Sequence, residues 1–199
     1  MQTSRIAIVF GVAALALGAC GKKDEGPTAT GSNVASEDMN ASCGAAGTNT
    51  ANVAAATFSP AQAFANAAAA SDAFEIQSSQ MALASATSPA VKKFARQMID
   101  AHTQSTAKLK AVAASLNPPI TPDPALAADQ QSALDELKAK SGSAFDEAYV
   151  AAQQDAHQKT LDAVRGYATS GDQPALQDWA RQAVPVVAAH LNMAKALKP

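Results

Sequence analysis

The sequence predicts an all-α domain, an up-down-up-down four-helix bundle with an extra helical segment between its second and third helices. Three observations carry that prediction. Alanine, the strongest helix former, supplies much of an apolar content of 48%, while aromatic residues make up only 5%. Apolar residues recur in alternating steps of three and four, and no strand-like alternation appears. Proline and glycine clusters divide the chain at intervals suited to long helices. A chain of 199 residues has room for one ordinary domain and a single core.

The first residues read as targeting rather than fold. "MQTSR" brings one early positive charge, and "IAIVFGVAALALGA" is an apolar run too short to span a bilayer as a stable helix. It ends in Leu17-Gly18-Ala19-Cys20, which resembles the lipobox of bacterial lipoproteins. That resemblance implies residues 1–19 as a signal peptide and lipid on Cys20, which anchors the protein to a membrane. Gly21 after the cysteine implies an outer-membrane lipoprotein facing the periplasm in a Gram-negative cell. Residues 20–57 are rich in Gly, Ser, Thr, Asn and Ala and lack periodic large apolar residues, so they read as a low-complexity tether. With Cys20 lipidated, Cys43 has no cysteine to pair with in its own chain.

The folded part is expected over 58–199. Ser59-Pro60 has the cap-then-proline signature of a helix start, and that helix extends to about Thr87. Ser88-Pro89 repeats the signature, so a second helix begins at once and runs to about Leu116 as an antiparallel neighbour. "NPPITPDP" breaks the chain with four prolines. Asp123-Pro124 then opens a helical segment to about Lys140, where "SGS" interrupts it. A long helix follows from about Ala144 to Ala168, and "TSGDQP" leads into the last one, from about Pro174 to Leu197.

Each long helix offers a seam near heptad spacing. The first supplies Phe64, Ala68, Ser71, Glu75, Ser78 and Ala82, and the second Val91, Ala95, Met98, His102, Ser105, Leu109, Val112 and Leu116. The next long helix supplies Val150, Gln153, His157, Val164 and Ala168. The last supplies Leu176, Ala180, Ala183, Val187, His190, Ala194 and Leu197. All three histidines of the chain and one glutamate therefore face inward from four different helices. With the turns near Thr87 and Gly171 at one end, Glu75, His102 and His157 lie about 18, 22 and 21 Å deep, and His190 about 28 Å. Four polar groups are thereby expected to share a layer.

A buried Glu or His needs a partner. Three imidazoles and a carboxylate suit a first-row transition metal such as Zn, Fe, Ni or Cu, with Glu75, His102, His157 and His190 as candidate ligands. Met98 and Met193, close in sequence to His102 and His190, add a hint of copper, although methionine on a seam more commonly fills gaps. Di-iron bundles need Glu on two helices and Glu-x-x-His on the other two. Ile99, Gln154 and Val187 stand three residues before the histidines, which disfavours ferroxidase chemistry. The alternative is a structural or stress-related envelope protein whose His/Glu cluster is only an internal hydrogen-bond network.

Other residues have plainer readings. Asp146, three residues after Ser143, is expected to cap its own helix start. Tyr149 reads as core with its hydroxyl bonded, Trp179 as a partly buried anchor, and Pro185 as a kink before His190. With a net charge of −2 and no basic block interleaved with aromatics, the chain has no nucleic-acid signature. Phosphate loops, GxSxG, CxxC and HExxH motifs are absent from the sequence, so binding is expected rather than turnover.

"FEIQSSQMAL", "VKKFARQMIDAHTQ", "FDEAYV", "QQDAHQKTL" and "VPVVAAHL", in this order and spacing, resemble the bacterial domain of unknown function 4142. The resemblance covers about Phe58 to Leu197 and implies a ferritin-like four-helix bundle on a secreted or lipid-anchored envelope protein, with no established activity. It also implies matching positions for Glu75, His102, His157 and His190. One departure concerns the first histidine, which that family commonly precedes with Asp and this chain with Ala101. A carboxylate orienting His102 would then have to come from Asp100 or be missing.

Overall fold

The computed structural model describes residues 58–199, so the signal peptide, Cys20, the tether and Cys43 lie outside the described residues. Five helices follow one another: α1 (Pro60–Ser85), α2 (Pro89–Ala114), α3 (Ala128–Lys138), α4 (Gly142–Ser170) and α5 (Pro174–Ala196). The two serine caps act as their sequence predicts. Ser59 Oγ accepts from the Gln62 amide at 3.2 Å and Ser88 Oγ from the Val91 amide at 3.4 Å, each just ahead of a first-turn proline. The third segment starts later than expected. Asp123 folds into a turn instead, with its carboxylate accepting from the Ala125 amide at 3.0 Å and its own amide bonded to Asn66 on α1 at 2.9 Å. At Gly142, φ is 63°, a backbone conformation that favours glycine, and α4 starts there.

Helix α1 packs against α2 and α4, α5 packs against α4 and α2, and α3 lies against α1 and α4. The class is therefore the expected all-α four-helix bundle with an extra helical segment. The order of helix directions is different from the sequence expectation. Contacts between α1 and α4 pair falling with rising numbers: Ser79 with Tyr149, Ser78 with Gln153, Ser71 with Thr160, Phe64 with Tyr167. These two helices are antiparallel, and the bundle runs up-down-down-up. The physical reason is the connection 115–127 followed by α3, long enough to return the chain along the bundle, as one long crossover does in ferritin-like bundles.

Asp146 also departs from expectation. It sits beyond the first turn of α4, buried, and its carboxylate reaches the α1–α2 turn. There it accepts from the Thr87 amide at 3.1 Å, the Ser88 amide at 2.9 Å and the Thr87 hydroxyl. A carboxylate that ties two turns together replaces the local cap. Pro185 lies inside a continuous α5.

The seams named from sequence do face inward, and they build two apolar clusters rather than one. One gathers Phe64, Leu109, Leu161, Val164, Tyr167 and Leu176; the other gathers Val91, Phe94, Met98, Leu137, Phe145 and Tyr149. Between them lies a belt of buried polar side chains that includes Ser71, Asp72, Glu75, Ser78, Ser79, His102, Gln153, His157 and His190. Tyr149 is fully buried with its hydroxyl 2.8 Å from Ser79 Oγ, and Trp179 is half-buried with its ring edge against Phe64. No helix among the described residues is long and apolar enough to cross a membrane.

Candidate metal centre

The belt brings the three histidines together. Their ring centroids form a nearly equilateral triangle with sides of 5.6, 5.6 and 5.5 Å, and the planes are inclined at 55° to 80° to one another. One ring nitrogen from each lies within 4.8 Å of the others. With sides of 4.8 Å, each nitrogen stands about 2.8 Å from the centre, so a movement of about 0.7 Å per ring reaches metal–imidazole distance. Small side-chain rotations suffice for that.

Hydrogen bonds fix two of the rings. His157 Nδ1 lies 2.8 Å from the Gln153 carbonyl, which can only accept, so Nδ1 carries the proton and Nε2 keeps its lone pair. His102 Nδ1 lies 2.8 Å from Asp72 Oδ1 on α1, and the same argument gives it an Nδ1–H and a free Nε2. Thr106 Oγ1 stands 3.1 Å from the other Asp72 oxygen and steadies the carboxylate. This is the carbonyl-or-carboxylate support that metal-ligating imidazoles use. Asp72 was not among the residues singled out from sequence. It supplies from a neighbouring helix the carboxylate missing at Ala101, while Asp100 is exposed.

Glu75 is fully buried, with its carboxylate 3.4 Å from His157 Nδ1. The set of mutually close donors comprises the three imidazoles, and Glu75 flanks it from the side of His157 that faces away from Nε2. Met98 belongs to the apolar cluster beside Phe94 and Phe145, and Met193 is exposed.

The charges follow from burial. Desolvation holds His157 down at about 3 and His190 at about 4, and the His102 charge adds to both. Burial also pushes His102 down, but the Asp72 hydrogen bond and the Glu75 and Asp72 charges outweigh it and raise the group above its ordinary value. Burial lifts Glu75 to about 7, against the opposing pull of His102. Two neutral imidazoles with free lone pairs therefore stand beside one imidazole paired to a carboxylate.

One further fact concentrates attention on this belt. Among the described residues, six buried side-chain polar atoms lack a hydrogen-bond partner from the protein: both Glu75 oxygens, His102 Nε2, Gln153 Oε1, His157 Nε2 and His190 Nδ1. All six belong to this one cluster. Elsewhere the fold satisfies its buried side chains, as natural interiors do.

Fold and site thus define an antiparallel helical bundle with a buried three-imidazole cluster at mid-height. A family model, described as domain of unknown function (DUF4142), matches residues 46–197, and the chain belongs to that family. The solved structure of CopM in the Cu(I)-bound form is similar in fold, with a TM-score of 0.57 at 18% identity over 70% of this chain and 95% of that one. No curated protein matches the sequence.

Proposed function

We propose that this protein binds a first-row transition-metal ion through His102, His157 and His190, and that lipid on Cys20 anchors it in the cell envelope on the periplasmic face of the outer membrane. The observation that carries the metal reading is the set of three buried ring nitrogens, one per histidine, without protein partners. An internal network satisfied by its own side chains would pair these atoms. A cation accepting three lone pairs accounts for them together. Nitrogen-only donors suit Zn, Cu, Ni or Fe and disfavour Mg and Ca, which take oxygen. CopM, similar in fold, holds Cu(I), and Cu2+ heads the divalent affinity order for nitrogen sites, so copper is the first ion to try.

Glu75 acts as a charge beside the site rather than as a primary ligand, and it neutralises part of the ion's charge when ionised. Metal analysis after exposure to Cu, Zn, Ni and Fe, followed by desalting, tests the reading. One ion per chain with a raised melting temperature is expected, and the His102→Ala, His157→Ala and His190→Ala variants should each retain far less. Substoichiometric metal throughout, with an unchanged melting temperature, would leave the internal network as the better account. The anchor has its own test, since Cys20→Ser should move the protein from the membrane fraction to the soluble one.

A further inference from the structure

Among the described residues, the cluster supplies three donors and no fourth. Zinc-type centres with three protein ligands leave one position for water or substrate, whereas closed structural sites use four. Which way the fourth position faces can be read from the surroundings. A cavity of about 260 Å³ lies between α2 and α5, and His102, His190 and Asp72 form part of its wall. His157 and Glu75 do not line it, and both are only 1% exposed, against 5% for His102 and 9% for His190. The cluster therefore has a sealed side at His157 and Glu75 and an accessible side toward the cavity. Small side chains at Ala101 and Ala183 leave that space free, and the exposed Lys108 adds a cation to its wall. His102 Nε2, buried and unpartnered, belongs to a ring on this wall.

We propose that the metal centre keeps one coordination position open toward the α2–α5 cavity and that a small anion enters there as the exogenous fourth ligand. This rests on the metal reading given above. Charge favours an anion over a neutral ligand. Asp72 and an ionised Glu75 together balance a divalent ion bound by three neutral imidazoles, so the positive charge facing the approach is that of Lys108 on the cavity wall. The volume suits a few atoms rather than a folded partner or a long chain.

Cobalt(II) serves as a visible probe, because its absorption reports ligand number and type. The full chain is loaded with Co2+ and titrated with azide at constant ionic strength. A saturable change in the cobalt bands is expected for the parent. Ala183→Leu, which adds bulk to the cavity wall and leaves all three histidines in place, should bind one Co2+ per chain and lose the azide response. Lys108→Glu should weaken azide binding by about threefold, as expected for a charge reversal at a solvent-screened position. Cobalt bands that ignore azide in the parent would overturn the open position while leaving the metal reading intact. An unaltered azide response in both variants would overturn the cavity as its route. Absence of any cobalt bands would overturn the metal reading and this inference with it. Should Ala183→Leu fail to fold, the Lys108→Glu result decides the route.

Discussion

Asp72 offers the sharpest test of how this site is organised. Its carboxylate is buried, accepts from His102 Nδ1 at 2.8 Å and has Thr106 Oγ1 at 3.1 Å from its second oxygen. In Asp72→Asn, the remaining carbonyl oxygen still accepts from Nδ1–H, so the tautomer survives while the negative charge is lost. In Asp72→Ala, the acceptor itself disappears and Nε2–H competes with Nε2 lone pair toward the centre. Losing such outer support costs about 10- to 100-fold in metal affinity, which places Asn near the lower end and Ala near the upper end. The upper figure corresponds to about 2.7 kcal/mol. Competition with a chromophoric chelator measures it. A pH series separates positioning from packing, because Asp72 helps hold the His102 value up. Without it, the metal competes with that proton only at lower pH, and the acid limb of binding should move downward. Unchanged affinity and an unchanged acid limb in both variants, alongside a lower melting temperature, would refute the positioning role.

Three other outcomes follow from the same geometry. His157→Leu removes an orphaned buried polar atom, so the metal-free protein should equal or exceed the parent in stability by about 1 kcal/mol while metal binding fails; a large loss in urea denaturation would instead favour an internal network. The metal-free protein should be most stable near about pH 6.5. Below that, His157 and His190 stay neutral in the fold at values of about 3 and about 4 while the unfolded chain takes up protons near 6.5, so stability falls as pH drops. Above it, the contributions of Glu75, raised from 4.5 to about 7, and of the raised His102 are lost as pH climbs through their folded values. Urea midpoints from about pH 4 to 8 would show whether the maximum exists. Finally, Asp146→Ala strips the α1–α2 turn of its buried acceptor and should cost about 3 kcal/mol, with metal affinity unchanged.

The helices were legible because their signals are local. Ser59-Pro60 and Ser88-Pro89 state helix starts in two residues, and the seams repeat at a spacing that only inward packing explains. Helix direction is not local. Nothing in "NPPITPDP" says at which end the chain re-enters the bundle, and the crossover placed the turns near Thr87 and Gly171 at opposite ends. The shared layer survived that difference because the site lies near mid-height. His157 is fifteen residues from the start of α4 and fourteen from Gly171, so depth counted from either end is about 21–23 Å. Asp72 escaped notice because it lies one residue off the Ser71–Glu75 seam. A usable signal was present: Asp72 and Glu75 are the sole charged residues of the 26-residue α1, and they lie three apart. On a helix with no other charge, that pair has no solvent-exposed face to serve.

The position of the belt bears on why the imidazoles are arranged before any ion arrives. The belt holds six buried polar atoms without a protein partner and contributes little apolar burial of its own. The apolar clusters on both sides must carry the fold, with Phe64 stacked on Tyr167 at one end and Phe145 on Tyr149 at the other. The ligands are therefore held by a fold that does not depend on them. The tautomers of His157 and His102 are set by a main-chain carbonyl and by a carboxylate from a separate helix, both independent of the ion. A site prepared in this way spends little on ordering side chains when it binds, and binding relieves the unpaired nitrogens. Removing the ion should therefore leave both the mid-height belt and the two apolar ends in place.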